Sequence, residues 1–315
     1  MVNWPALQEI VRRGPKWELV AAAVGLLVFE TFNLAVRWRL LLAGMGVALP
    51  FRDVYRMVAG SNIASLVMPG ANGGDALKAA LVAAATPSRT KGIASMLLDR
   101  VIGLCGLLLV GVIAGAASWS TAPPVVRNLT LVSGGLAAAV LAALFLLRSR
   151  WLHPLVDRLA QLHPRIAGIV TQLVEGEQAL RSQPAAIPLA LLLAMIGQAF
   201  NIGVFYCMTR ALRIDGGHPL SFFVLVPFVF LSSAIPLPFG ALGVTEGVSD
   251  QLFRWCGVEG GGLGMLAYRF AYGASIPVLL AILVGWTGLP AFRRTAVCDA
   301  RSPGECSPSA GEAET

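Results

Sequence analysis

The chain has 315 residues, 56% of them hydrophobic and only 13% charged, with a formal net charge of +7. Soluble domains run at roughly 45–50% apolar and about 25% charged, so too little polar surface remains to cover a globule in water. The basic residues flank apolar segments and are not interleaved with aromatics, a pattern that excludes nucleic-acid binding and suits loops meeting anionic lipid.

Arg12, Arg13 and Lys16 lie in a short N-terminal segment, 1–16, ahead of an apolar run. The arrangement resembles a signal peptide, but Glu30, Arg37, Trp38 and Arg39 follow in place of a small-residue cleavage site. The run is therefore expected to remain as a spanning helix over 17–36. Further spans of about 20 apolar residues are predicted at 93–117, 129–147, 185–208 and 264–286.

Two other apolar stretches, 54–68 and 220–236, run into Gly/Pro-rich breaks and are followed by short helical segments at 75–85 and 245–256. Non-helical backbone at membrane depth is tolerated only where protein or a watery cavity satisfies it, and paired broken helices point to a transporter site. The expectation is an all-α polytopic membrane protein with about five full spanning helices and two re-entrant hairpins, near 52–86 and 219–255.

The breaks resemble each other. Pro69-Gly-Ala-Asn-Gly-Gly-Asp75 and Pro238-Phe-Gly-Ala-Leu-Gly-Val-Thr-Glu246 share Gly70-Ala-x-Gly73 and Gly240-Ala-x-Gly243, each followed by a carboxylate and later by an arginine, Arg100 or Arg269. This echo suggests a duplicated unit. Three predicted crossings separate the hairpins, which makes the repeat inverted.

Fourteen Lys/Arg, among them Arg37, Arg39 and Arg148, fall on one side of this topology. Seven, among them Arg127, Arg210 and Arg254, fall on the other, so the first side is expected to be cytoplasmic. Residues 151–182 keep helical apolar spacing and read as an amphipathic helix on that side, either in the membrane interface or capping the bundle. The membrane unit extends over 17–290, and the Ser/Pro/Gly/Glu-rich tail, 291–315, is expected to be disordered.

Ionisable residues at a helix centre cost roughly 2.5–3.5 kcal/mol each on insertion scales, so those that remain mark a polar interior. Asp75, Lys78, Asp99, Arg100, Glu246, Asp250 and Arg269 are such residues. Gly73 and Gly74 would let backbone approach a ligand, and Asp75 opens a half-helix whose N–H groups suit an anionic group such as phosphate. Lys78, one turn on, adds a positive charge. The plain alternative is that Asp75 caps the helix and pairs with Lys78. Asp99 and Arg100 read as an adjacent ion pair or as a site arginine. Arg269 has no adjacent acid and is expected to reach Glu246 or a lipid phosphate. Glu30 is a lone acid in the first helix and a candidate partner for Arg37, two turns away. Gly111-x-x-x-Gly115 permits close helix packing. The five cysteines and three histidines form no disulfide or metal-ligand spacing, no triad or Walker loop occurs, and no cofactor or metal is expected.

The ordered set Ser61-Asn-Ile-Ala-Ser-Leu-Val-Met-Pro-Gly-Ala-Asn-Gly-Gly-Asp75-Ala-Leu-Lys78, Asp99-Arg100, Gly240-Ala-Leu-Gly-Val-Thr-Glu246 and Tyr268-Arg269 resembles the flippase-like family. That family is the membrane region of lysylphosphatidylglycerol synthases, also found alone. The resemblance covers 17–286 and implies an inner-membrane bundle that binds or moves anionic, aminoacylated or polyprenyl-linked lipids. It places Pro69, Gly70, Gly73, Gly74, Asp75, Asp99, Arg100, Gly243, Glu246 and Arg269 on motif positions. Lys78 stands where the family more often has Arg, which loses the bidentate fork. Members usually carry one more span ahead of Arg37-Trp38. No soluble aminoacyltransferase domain follows residue 286, so synthase activity is not expected and a lipid-modifying enzyme would be a partner. Two other readings stay open: a membrane enzyme subunit with Asp75 and Glu246 as acid–base groups, and a scaffold that moves no lipid.

Overall fold

The computed structural model describes residues 14–67, 73–86, 89–147, 185–214, 216–233 and 242–287, and all regular structure among them is helical. The helices are α1 (Trp17–Gly44), α2 (Phe51–Val67), α3 (Gly73–Ala85), α4 (Arg89–Ala117), α5 (Pro124–Leu147), α6 (Ala186–Ala211), α7 (Pro219–Ser233), α8 (Val244–Arg254) and α9 (Gly261–Thr287). Five of them, α1, α4, α5, α6 and α9, are long and apolar enough to cross a membrane. Together with the composition, this makes the chain a polytopic all-α membrane protein. The amphipathic segment 151–182 and the tail 291–315 lie outside the described residues, as do Pro69, Gly70, Pro238 and Gly240.

The remaining four helices have 17, 13, 15 and 11 residues. At 1.5 Å per residue they reach only roughly 16 to 26 Å, short of a hydrocarbon core of about 30 Å. They come as two packed pairs, α2 on α3 and α7 on α8, at the positions expected for the broken hairpins.

The packing has a further regularity. Exchanging α1 with α6, α2 with α7, α3 with α8 and α4 with α9 maps every substantial helix–helix packing among these eight onto another. Thus α3 rests on α4 as α8 rests on α9, and α4 meets α7 as α9 meets α2. The largest interface, α1 with α6, maps onto itself. Helix α5 stands outside the scheme, packed on α4 and α7.

Small residues allow these close approaches. Ala190 and Ala194 of α6 are fully buried against α1 and α4, and Ala35 of α1 is fully buried against α2 and α3. A Cβ on Gly106 would stand 2.7 Å from the Ala194 methyl. Gly115 accommodates Thr130 of α5, and Gly111 faces the Phe223 carbonyl and the Pro227 ring of α7, so the Gly111/Gly115 pair does serve packing. An aromatic core of Phe205, Phe222 and Phe253 ties α6, α7 and α8 together, with ring centroids 4.9–6.3 Å apart.

Helix α1 departs from expectation at its end. It continues past 36 through Arg37-Trp38-Arg39 to Gly44. A charge normally ends a span, but Arg37 is buried at 6% exposure because it turns into the bundle and finds a carboxylate there. Arg37 is therefore not a cytoplasmic loop charge, while Arg39, on the other face, is exposed.

Candidate functional site

Two charged clusters involve the short helices that follow the two breaks in the chain, α3 and α8. The first gathers side chains from α1, α3 and α4. Arg37 donates from Nε to Asp99 Oδ1 at 2.7 Å, and Lys78 Nζ lies 3.7 Å from Asp99 Oδ2. All three side chains are 8% exposed or less. Lys78 also stands 4.1 Å above the Trp38 ring, while Trp38 donates its indole N–H to Ser95 Oγ at 3.1 Å. Adjacent residues on α1 thus both grip α4. Gly103 leaves room for the guanidinium, since a Cβ there would approach Arg37 Nη2 to 3.4 Å.

These partners differ from two of the expected ones. Lys78 pairs with Asp99 and not with Asp75. Asp75 lies in the first turn of α3, and its side chain lies outside the described residues. Asp99 takes Arg37 and Lys78 as partners, not its neighbour Arg100. Successive helix residues point about 100° apart, so beside the buried Asp99 the Arg100 side chain turns away to an exposed position. Arg37 and Asp99 line a recess of about 260 Å³ between α4, α6 and α7, with Arg100, Gln198 and Phe230 also on its wall.

Gly74 holds the half-helix in place. A Cβ there would collide with the Ser61 carbonyl oxygen and Ser65 Oγ of α2, so only glycine permits this approach of α3.

The second cluster joins α8 to α9. Arg269 Nε donates to Glu246 Oε1 at 2.8 Å, and Nη2 donates to Thr245 Oγ1 at 2.8 Å. The expected pairing of Arg269 with Glu246 is what the structure contains. Glu246 has a second duty: its Oε2 accepts the Gly243 N–H at 2.6 Å, the reciprocal half of a capping box. Gly243 has φ +87°, a left-handed conformation suited to glycine, and it starts α8 directly after the break. Asp250 pairs with Arg254 one turn on, at the partly exposed end of the same helix, and belongs to neither cluster.

A polar seam lies between the clusters. Tyr268 donates its O–H to Asn201 Oδ1 at 3.1 Å. Asn33 donates to the Leu193 carbonyl at 2.8 Å across the α1–α6 interface. The Arg37, Trp38 and Asn201 contributions were not legible as site residues. The available signal was Arg37 lying two turns from Glu30 on one face of an apolar helix, a spacing at which two charges seldom both face lipid.

Chemically, each cluster holds its positive groups on one carboxylate, Asp99 in the first and Glu246 in the second. Among the described residues no group of metal-binding side chains occurs. No curated protein and no solved structure gives a significant match to the chain. A family model described as the lysylphosphatidylglycerol synthase TM region matches residues 1–295 of the 315, across both clusters and both breaks. The chain is a member of the lysylphosphatidylglycerol synthase TM-region family.

Proposed function

We propose that this protein binds the headgroup of an anionic membrane lipid between its two broken hairpins and moves the lipid between leaflets of the inner membrane. The observation that carries the reading is the buried pair of cations, Arg37 and Lys78, sharing the single carboxylate of Asp99 at a recess whose wall includes Arg100. Two cations on one carboxylate leave a positive surplus at that spot, which a phosphate-bearing headgroup would complement.

The halves are read as an inverted repeat, with α2/α3 and α7/α8 entering from opposite faces and residues 148–182 and the tail on the cytoplasmic side. The exchange symmetry of the packing supports two equivalent halves, and the Lys/Arg asymmetry supports the orientation. Rocking one half against the other would then expose the site to each leaflet in turn. The chain itself is read as carrying no enzymatic activity, with any lipid modification supplied by a partner enzyme.

Native mass spectrometry of the purified protein tests this, comparing wild type with Arg269→Ala and Asp75→Asn. One anionic or polyprenyl-phosphate lipid enriched over the bulk membrane, and lost in the folded variants, is the expected result. Bound lipids that mirror the bilayer in all three proteins would refute the headgroup site and favour a scaffold.

A further inference from the structure

Helix α7 is divided by a proline in its interior, Pro227. Proline has no N–H, so the Phe223 carbonyl one turn earlier loses its helical donor and the backbone ladder is interrupted there. In a membrane such a freed carbonyl is normally taken up by a neighbouring helix. Here it lies beside Gly111 of α4. A Cβ built on Gly111 would stand 3.5 Å from the Phe223 oxygen, 3.6 Å from the Pro227 ring and 3.5 Å from Ser133 Oγ of α5. Ser133 is fully buried and its hydroxyl has no hydrogen-bond partner. Three helices thus meet around room for a methyl group, bordered by an acceptor that has lost its helical donor and a hydroxyl that has none to bond.

The part of α7 beyond the proline reaches the charged recess. Phe230 and Leu231 stand on its wall together with Arg37, Asp99 and Arg100. Phe230 also packs on Tyr268 of α9, with ring centroids 5.2 Å apart. Tyr268 is held by its bond to Asn201 of α6 and directly precedes Arg269 of the second cluster. Ser232 and Ser233 return their hydroxyls to the Val229 and Phe230 carbonyls, both at 2.6 Å. These bonds lie within the last turn and travel with it, so the turn can move as a unit.

We propose that the end of α7 is a gate to the recess, hinged at Pro227. The structure holds it closed, with Phe230 against Tyr268. To open, α7 turns about Pro227 and Phe230 leaves Tyr268. The Phe223 carbonyl then shifts into the space beside Gly111 and accepts the Ser133 O–H. Each position has a contact of its own, the ring pair in one and the hydroxyl bond in the other, which makes the hinge a two-state element. A headgroup that occupies the recess favours the position in which its wall is withdrawn. The inference rests on the lipid-binding reading for what passes the gate.

Fluorine NMR of the full chain in nanodiscs tests the gate, with para-fluorophenylalanine in place of Phe230 alone. The para fluorine lies on the flip axis of the ring, so ring flips do not split its signal, and the Tyr268 ring shifts it in the closed position. Two exchanging resonances are expected in phosphatidylcholine, and the one shifted by Tyr268 should vanish in Tyr268→Leu. Gly111→Ala meets only ordinary contact distances in the closed structure but fills the space the carbonyl needs. It should lower the open resonance by about fivefold or more, the worth of one hydrogen bond. Ser133→Ala should lower it by about fivefold, although the hydroxyl it removes has no partner in the closed position. Phosphatidylglycerol discs should raise the open fraction by about threefold or more. A single resonance in both lipids overturns the proposal, and this needs no variant to fold. A ratio that either Gly111→Ala or Ser133→Ala leaves unchanged overturns it as well. If both variants shift the ratio and phosphatidylglycerol does not, the hinge stands and the anionic-lipid reading of the recess falls.

Discussion

Replacing Asp99 by Asn tests the first cluster most directly. The substitution keeps the shape and one acceptor for Arg37 Nε while deleting the charge that holds two cations, both with side chains less than a tenth exposed. At an effective dielectric of about 20, unit charges about 4 Å apart attract by about 4 kcal/mol, so both contacts are energetically substantial. Removing one partner of a buried pair costs about 3–5 kcal/mol, chiefly because the other charge is left uncompensated. Asp99→Asn is expected to fall in that range, measured by reversible unfolding in mixed detergent–SDS micelles. Lys78→Met should cost less, because Asp99 keeps Arg37 at 2.7 Å and what is lost includes a cation–π contact of about 0.5–2 kcal/mol. The double variant Asp99→Asn/Lys78→Met removes one surplus cation and should recover about 1–2 kcal/mol relative to Asp99→Asn alone. A loss below about 1 kcal/mol for Asp99→Asn, or a double variant worse than the single, would mean that the cations reach water and that the trio is not a buried unit.

Four further outcomes follow from the geometry. Gly74→Ala forces a methyl against the Ser61 carbonyl and should destabilise by about 1–3 kcal/mol in the same assay. Gly247→Ala, with open space around its Cβ inside α8, should be neutral or stabilising by up to about 1 kcal/mol. Arg269→Lys keeps the charge but cannot serve Glu246 and Thr245 through separate nitrogens, so it should lose most of the wild type's lipid enrichment in native mass spectrometry while remaining folded. Arg254→Ala removes a half-exposed pair with Asp250 and should shift stability by less than about 0.5 kcal/mol.

The spans and breaks were legible because the membrane reduces them to one-dimensional properties: about 20 apolar residues to cross, and Gly/Pro where a helix stops. All five spans and all four short helices fall at the expected places, with ends shifted by a few residues except at α1, which runs on from 36 to Gly44. Arg269 with Glu246 could be read because each lacked a local partner and the two sat in the same half. Arg37 could not be placed correctly. Counting charges by topology assigns every residue at a helix end to water, whereas its partner Asp99 lies 62 residues away and is reached only after α1 and α4 pack. Asp99 was misread for a related reason: adjacency to Arg100 suggests a pair, but helical geometry sends the two side chains apart. The exchange symmetry of the packing was foreshadowed by the echo between Gly70-Ala-x-Gly73 and Gly240-Ala-x-Gly243, although neither Gly70 nor Gly240 is among the described residues.

The charge balance within each cluster bears on how the bundle responds to voltage. Glu246 against Arg269 sums to zero, and the single positive surplus of Arg37 and Lys78 over Asp99 is offset by Glu30, two turns before Arg37 on α1. A membrane potential does work of about 2.3 kcal/mol per elementary charge per 100 mV, but only on net charge displaced through the field. A cluster that shifts as a neutral unit feels almost none of it. In the proposed rocking motion the empty bundle would therefore change the side its clusters face without electrical bias, and only what it binds would make the motion electrogenic.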